Sequence, residues 1–103
     1  MTLQNKFSGE WPFEDGPRVA VFTTTHVVRS RKPIVYVSHD ADDGSWQFHS
    51  EDRVSTKDAM IIALEEILKI DASIAGLANL PLGYCATRRD RGSAWKIEEK
   101  ADS

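Results

Sequence analysis

The stretch His39-Asp40-Ala41-Asp42-Asp43-Gly44-Ser45-Trp46-Gln47-Phe48 decides the fold of this chain. It lies between the β-branched run 34–37 and a second, aromatic run. Asp43-Gly44 is a strong signal for a tight turn, because such turns need a positive φ that glycine adopts without steric cost. The stretch therefore predicts a β-hairpin with strands over 34–39 and 45–50.

The length of the hairpin loop decides which side chains share a face, because successive strand residues point to opposite sides. A three-residue loop would group Tyr36, Ser38 and Asp40 with the aromatic side chains. A loop of two or four residues groups the apolar side chains better. We therefore expect an even loop, with one face formed by Val35, Val37, His39, Trp46 and Phe48.

The rest of the chain predicts three more strands and two helices. One strand covers 18–25, with Val27-Val28 extending or restarting it, and a last hairpin joins 83–89 to 94–98. The main helix begins at Ser55 or Thr56, with Asp58 in a weaker form of the capping box. Asp71 caps a short second helix over 72–77. The stripe of the main helix consists of Met60, Ala63, Leu64 and Ile67.

This order predicts an α+β fold: an antiparallel sheet of about five strands with one main helix packed on one face, in the order β-β-β-α-β-β. Ile62 falls on the polar side of the main helix, where the short second helix or a second copy of the chain would cover it. The domain spans 18–99. An N-terminal arm (1–17) is pinned by Trp11 and Phe13, and the tail (100–103) is expected to fray.

Composition excludes several classes of protein. The chain has 103 residues, 41% hydrophobic and 28% charged, which is typical of one soluble globular domain. A net charge of −3 predicts no strong attraction to nucleic acid. No apolar run approaches the roughly 20 residues of a membrane span. The first residues lack a signal-peptide pattern and Cys85 has no partner, so we expect a cytoplasmic protein.

The acidic loop imitates the start and end of a calcium-binding loop, with Asp40, Asp42 and Glu51 at ligand positions. Gly44 and Ser45, however, stand where an oxygen ligand and the required glycine belong. The histidines, His26, His39 and His49, show no recognised ligand spacing. We therefore predict no metal, no cofactor and no catalytic residue.

Two other interpretations concern the reactive side chains. Cys85 has no neighbour in sequence that would lower its pKa, so a buried structural thiol is expected. An acid/base or metal-dependent hydrolase site built from His39, Asp40 and Asp43 is the alternative function.

Charge patterning favours a protein partner. Two basic groups, around 29–32 and 88–91, have acidic counterparts in the hairpin loop and at 51–52, and patches of opposite sign steer a protein partner. The three aromatic residues of the candidate set either line a shared binding surface or belong to the core. The candidate binding residues are Asp40, Asp42, Asp43, Trp46, Tyr84, Arg88 and Trp95.

The segment 33–48, with its His-Asp-x-Asp-Asp-Gly-x-Trp-Gln-Phe pattern, resembles a family of small uncharacterised bacterial proteins. So does Leu77–Tyr84, followed by Ala86, Arg88 and Trp95; the family commonly has tryptophan at the place of Tyr84. More distantly the chain is similar to a group of predicted bacterial immunity proteins, first described as a domain of unknown function. The members of that group are predicted to neutralise toxins. The resemblance implies the fold and a bacterial origin more than a function, and it supplies no catalytic residues.

We therefore predict a non-enzymatic protein-binding module of the immunity kind. Its partner is a toxin or, through the Ile62 face, a second copy of the chain, with no nucleic acid or membrane involved. The alternatives are the small hydrolase and a ligand-binding regulatory dimer.

Overall fold

The computed structural model describes residues 11–100, so the predictions for 1–10 and 101–103 lie outside the described residues. The fold is a mixed α+β fold with one six-stranded sheet and few helices. The strands are β1 (Ala20–Thr24), β2 (Tyr36–His39), β3 (Trp46–His49), β4 (Ala59–Ala63), β5 (Tyr84–Thr87) and β6 (Lys96–Glu99). The helices are α1 (Thr25–Val28), α2 (Leu64–Ile70) and two 3-10 helices, Thr56–Asp58 and Ala72–Leu77.

The strands lie in the order β4-β1-β3-β2-β5-β6. β1 and β3 are parallel, and every other neighbouring pair is antiparallel. The predicted α+β class and mostly antiparallel sheet are confirmed. The predicted count of five strands and the order β-β-β-α-β-β are wrong, because the first half of the predicted helix is a strand.

The hairpin formed by β2 and β3 has the predicted even register. His39 pairs with Trp46 and Val37 with Phe48. The Asp40 N–H donates to the Ser45 carbonyl at 2.8 Å, which closes a four-residue loop. Gly44 has a φ of 75°, the conformation for which glycine was expected there. This register places Trp46 and Phe48 in the core.

The predicted main helix is divided between three elements. Residues 56–58 form a 3-10 helix, 59–63 form β4, and only 64–70 are α-helical. Ser55 donates its N–H and its Oγ to Asp58 Oδ2 at 3.1 and 3.0 Å, so the expected cap is present on a shorter helix. Five apolar residues in a row fit a strand and a helix equally, and pairing with β1 decides in favour of the strand.

The prediction that changes most is the one for Ile62, which lies in β4 and not in a helix. It pairs with Val21 across β4 and β1, is half-buried and packs against the core. The prediction that Ile62 lies on a polar helix face is therefore wrong. α2 supplies a core-facing stripe of its own with Leu64, Ile67 and Leu68.

Of two predictions about short segments, one is wrong and one is confirmed. Val27 and Val28 belong to α1, not to a strand, because the Thr24 side chain accepts the Val27 N–H at 3.3 Å and starts a helical turn. Asp71 caps the second 3-10 helix as predicted, accepting the Ser73 N–H at 3.0 Å.

The core lies between one face of the sheet and the helical segment 64–80. Leu64, Ile67 and Leu68 pack there, and Phe13 from the predicted arm joins the same buried cluster. The other face carries Phe22 and Ile61, both exposed, and a polar group in its centre. Between residues 11 and 100, no helix has the length and apolar character needed to cross a membrane.

Candidate binding site at the acidic end of the sheet

Strand direction sorts the charged residues to the two ends of the sheet. β2, β4 and β6 end where β1, β3 and β5 begin. We call this the acidic end; its carboxylates are Glu14, Asp15, Asp40, Asp42, Asp43 and Glu99, with Arg18 and Lys100 among them. The opposite, basic end carries Arg29, Arg31, Lys32, Arg89, Arg91 and Lys96, with Glu51, Asp52 and Asp90 among them. The hairpin-loop carboxylates therefore lie at the opposite end of the sheet from the two basic groups, whereas the acidic group at 51–52 lies beside the basic residues.

A cleft of about 220 Å³ opens at the acidic end. Glu14 and Asp15 line it on one side, and the segment 78–82 lines it on the other. The His39 imidazole and Trp46 complete its wall. Leu82, at its rim, is an exposed large apolar residue. Carboxylates and an apolar contact therefore meet at one concave site.

Trp46 builds the wall of the cleft from the inside. Its indole Nε1 donates to Asp15 Oδ1 at 3.2 Å, and the Phe13 ring meets it edge-on at 5.2 Å. Trp11 Nε1 donates to the Asp15 backbone carbonyl at 2.6 Å. These contacts hold the Glu14-Asp15 segment against the end of the sheet.

The His39 side chain is fixed by two contacts. Its ring stacks on Trp46 with centroids 3.9 Å apart and an angle of 14°. Its Nδ1 lies 2.7 Å from the Leu80 carbonyl oxygen. Because a carbonyl can only accept, Nδ1 carries the hydrogen in this bond. His39 thus ties β2 to the segment that forms the other side of the cleft.

Asp40 points to the opposite face of the sheet from His39. Its carboxylate accepts hydrogen bonds from Gln47 Nε2 at 2.8 Å, Ser38 Oγ at 3.0 Å and Lys100 Nζ at 3.0 Å. Burial raises the pKa of Asp40, but the hydrogen bonds from Gln47, Lys100 and Ser38 and the charge of Lys100 hold that pKa below its usual value. Asp40 is therefore an ionised, anchored residue.

His49 extends this polar group away from the acidic end. Its Nε2 lies 3.0 Å from Gln47 Oε1, and since the Gln47 amide nitrogen donates to Asp40, the histidine nitrogen is the donor. Burial lowers the pKa of His49, against the opposing charge of Asp40. His49 is thus held neutral beside an ionised carboxylate.

The two loop carboxylates have different roles. The Asp43 side chain accepts the Ser45 N–H at 2.9 Å and so stabilises the turn. Asp42 is exposed at the tip. His39, Asp40 and Asp43 are therefore not brought to one point, as the alternative hydrolase site requires. Within the described range 11–100, no group of three or more histidine, cysteine or acidic residues could hold a metal ion.

The three aromatic candidates do not form a shared exposed surface. Trp46 is 2% exposed and belongs to the core. Tyr84 and Trp95 are half-buried and pack against the same core. Trp46 flanks His39 on one side and Tyr84 flanks it on the other, because both pair with it across β2. Trp46 lines the cleft, Tyr84 packs beside His39 near it, and Trp95 packs on Arg88 at the opposite end of the sheet.

Arg88 is buried at the other end of the molecule. Its Nη2 lies 2.7 Å from Asp71 Oδ2, its Nε donates to the Ile34 carbonyl at 2.9 Å, and the Trp95 ring lies 4.1 Å from its guanidinium carbon. An enclosed guanidinium of this kind joins the end of β5 to the second 3-10 helix.

Cys85, within β5, is a buried free thiol as predicted.

The sequence does not predict the cleft residues outside the hairpin. Glu14 and Asp15 lie more than 20 positions from His39, and only the tertiary fold brings them together. The one local signal is the run Leu80-Pro81-Leu82-Gly83, in which Gly83 has a φ of 85° and donates its N–H to the His39 carbonyl at 2.7 Å. That turn places Leu82 at the rim of the cleft.

No family model, curated protein or solved structure matches this chain. The geometry of the cleft and the distribution of charge are therefore the basis for a proposal about function.

Proposed function

We propose that this protein is a non-enzymatic binding module whose acidic end docks onto a positively charged surface of a protein partner. The observation that carries the proposal is the cleft in which Glu14 and Asp15 face the segment 78–82. Complementary charge steers association and selects against partners of the wrong sign. The same end carries the exposed Asp42, which adds to the attraction.

The size and lining of the cleft favour one side chain of the partner over a free small molecule. Sites for drug-sized ligands enclose roughly 300–1,000 Å³, more than the 220 Å³ available in this cleft. A lysine or arginine would place its cation beside the carboxylates of Glu14 and Asp15 and its aliphatic stem against Leu82. Arginine fits best, because its planar guanidinium bonds carboxylates in a fixed geometry and is enriched at binding hot spots.

Two further considerations support a binding module over an enzyme. The polar side chains at this end are engaged in holding the fold: His39 bonds Leu80, and Asp40 bonds three neighbours. The resemblance to immunity proteins suggests that the partner is a bacterial toxin. Binding would then take place in the bacterial cytoplasm.

The proposal is tested by reversing charge at each end of the sheet. The tagged full chain serves as bait in a lysate of cells that express it, and the captured protein is then titrated by calorimetry. Glu14→Lys should weaken binding of that protein about tenfold, or 1.4 kcal/mol. The loss should shrink at high salt, because screening weakens the attraction that the variant removes.

Glu51→Lys is the matched control, since it makes the same charge change at an exposed glutamate of the basic end. It should bind the captured protein as the unmodified chain does. Equal losses in both variants, or no loss in Glu14→Lys, would show that the partner binds elsewhere.

A further inference from the structure

The outer edge of β4 carries backbone groups that no other strand in the described part of the chain pairs with. Among the strands of residues 11–100, β4 lies at one edge of the sheet and pairs with β1 alone. The Leu64 N–H donates to the Val19 carbonyl at 2.9 Å. This bond shows which residues of β4 direct their backbone N–H and carbonyl groups towards β1. Because hydrogen-bonded pairs recur at every second residue, Met60 and Ile62 bond to β1, and Ala59, Ile61 and Ala63 point outward.

Two of the outward groups already have partners. The Ala59 N–H donates to the Thr56 carbonyl, which closes the preceding 3-10 helix. Ala63 is the N-cap of α2, a position whose carbonyl accepts the first bond of the helix. The outward groups that remain are the Ala59 carbonyl, both groups of Ile61 and the Ala63 N–H.

We infer that this edge pairs with the β4 edge of a second copy of the chain, antiparallel and with the two-fold axis at Ile61. The two Ile61 residues then exchange two hydrogen bonds. Each Ala63 N–H meets the Ala59 carbonyl of the other copy, which adds two more. A regular antiparallel pair would also have the Ala59 N–H donate to the Ala63 carbonyl of the other copy. That bond is not expected, because both groups are already bonded within their own chain.

The side chains of this edge complement each other in the same register. Ile61 is 62% exposed and lies on the same sheet face as Phe22, so the two copies would bring four apolar side chains together. Lys57 and Glu65 stand four positions before and after Ile61. Both residues lie in the helical turns that flank β4, so antiparallel pairing about Ile61 brings the Lys57 end of one strand next to the Glu65 end of the other.

The opposite edge of the sheet lacks these features. β6 presents the sequence Lys-Ile-Glu-Glu, and charged side chains on an edge strand oppose pairing with another chain. The inferred contact thus joins two sheets at β4 and leaves β6 at the outside. It uses a different surface from the acidic cleft and does not depend on the proposed function.

Sedimentation velocity of the full chain over a range of concentrations tests the inference. The mass should rise from one chain to two as concentration increases. Ile61→Lys should shift the midpoint of this rise at least tenfold to higher concentration, because it places two like charges opposite each other across the axis. Ile97→Lys is the matched control, since Ile97 is 52% exposed on β6, and it should leave the midpoint unchanged.

A charge exchange checks the register independently of Ile61. Lys57→Glu and Glu65→Lys should each weaken the dimer, and the double variant should restore it. A chain that stays monomeric at all concentrations, or a dimer that Ile61→Lys leaves intact, would overturn the inference. A monomer that gains an added strand only when an unrelated extended peptide is supplied would overturn it too, and would show that the edge serves another protein.

Discussion

Two aspartates, Asp71 and Asp40, are built into the fold in a similar way but in different surroundings. Each carboxylate accepts bonds from a serine hydroxyl and from a cationic side chain. The cation beside Asp71 is Arg88, whose side chain is 1% exposed, whereas the cation beside Asp40 is Lys100, which is 37% exposed. The contacts are alike, and the access to water is not.

Access to water decides what each pair contributes. A buried pair that loses one partner leaves an uncompensated charge in a medium that solvates it poorly. A pair near the surface regains water when one partner is removed, so the loss is small. The pair of Asp71 and Arg88 should therefore contribute strongly to the free energy of unfolding. The pair of Asp40 and Lys100 should contribute little to it and mainly hold the acidic end in place.

The largest effect is expected from Arg88→Met. This substitution keeps most of the buried stem but leaves Asp71 without its closest cation and the Ile34 carbonyl without its donor. We expect the free energy of unfolding to fall by about 3–5 kcal/mol, measured by chemical denaturation.

Arg89→Met is the control for that experiment, because Arg89 is the exposed neighbour. Its effect should stay within about 0.5 kcal/mol. Similar losses for Arg88 and Arg89 would mean that burial does not separate the two aspartate clusters.

A smaller effect is expected from Asp40→Asn, about 1 kcal/mol at neutral pH, because Gln47 and Lys100 donate to different carboxylate oxygens and an amide keeps only one acceptor, which is uncharged. The pKa of Asp40 is lowered in the folded state, so its ionised form stabilises the fold above the unfolded pKa. That contribution is lost as the pH falls through the folded pKa.

The difference in stability between the unmodified chain and Asp40→Asn should therefore be largest near neutral pH and vanish in acid. Denaturation curves at a series of pH values measure it. Asp42→Asn, at the exposed loop tip, is the control and should change the free energy of unfolding by no more than about 0.5 kcal/mol. A difference that grows in acid would contradict a lowered pKa for Asp40.

Local signals account for much of this fold. The hairpin register followed from the alternation of apolar residues and from Gly44, because both act within ten positions of chain. The Asp71 cap followed in the same way. The strand β4 did not, because 59–63 is apolar at every position and only pairing with β1 distinguishes a strand from a helix there.

The sequence predicts less of the candidate site than of the fold. The sequence predicts the loop that holds Asp40, Asp42 and Asp43, but it does not indicate the cation beside Asp40, since Lys100 lies 60 positions away. Arg88 looked like an exposed binding residue because two further arginines follow it closely. Its burial depends on Asp71, 17 positions away, which no local pattern indicates.

The smallest effect, and the sharpest separation of the two clusters, is expected from Lys100→Met. Hydrogen bonding to Asp40 raises the pKa of Lys100, partly offset by burial, so the lysine is charged throughout the neutral range. Its loss should cost less than about 1 kcal/mol, because Gln47 and Ser38 still bond the carboxylate and water replaces the cation. The cost should fall further in high salt, which screens a pair near the surface. Arg88→Met should keep its full cost in the same buffers, since salt does not reach a side chain that is enclosed. A salt dependence of equal size in both variants would show that the two pairs share one kind of environment after all.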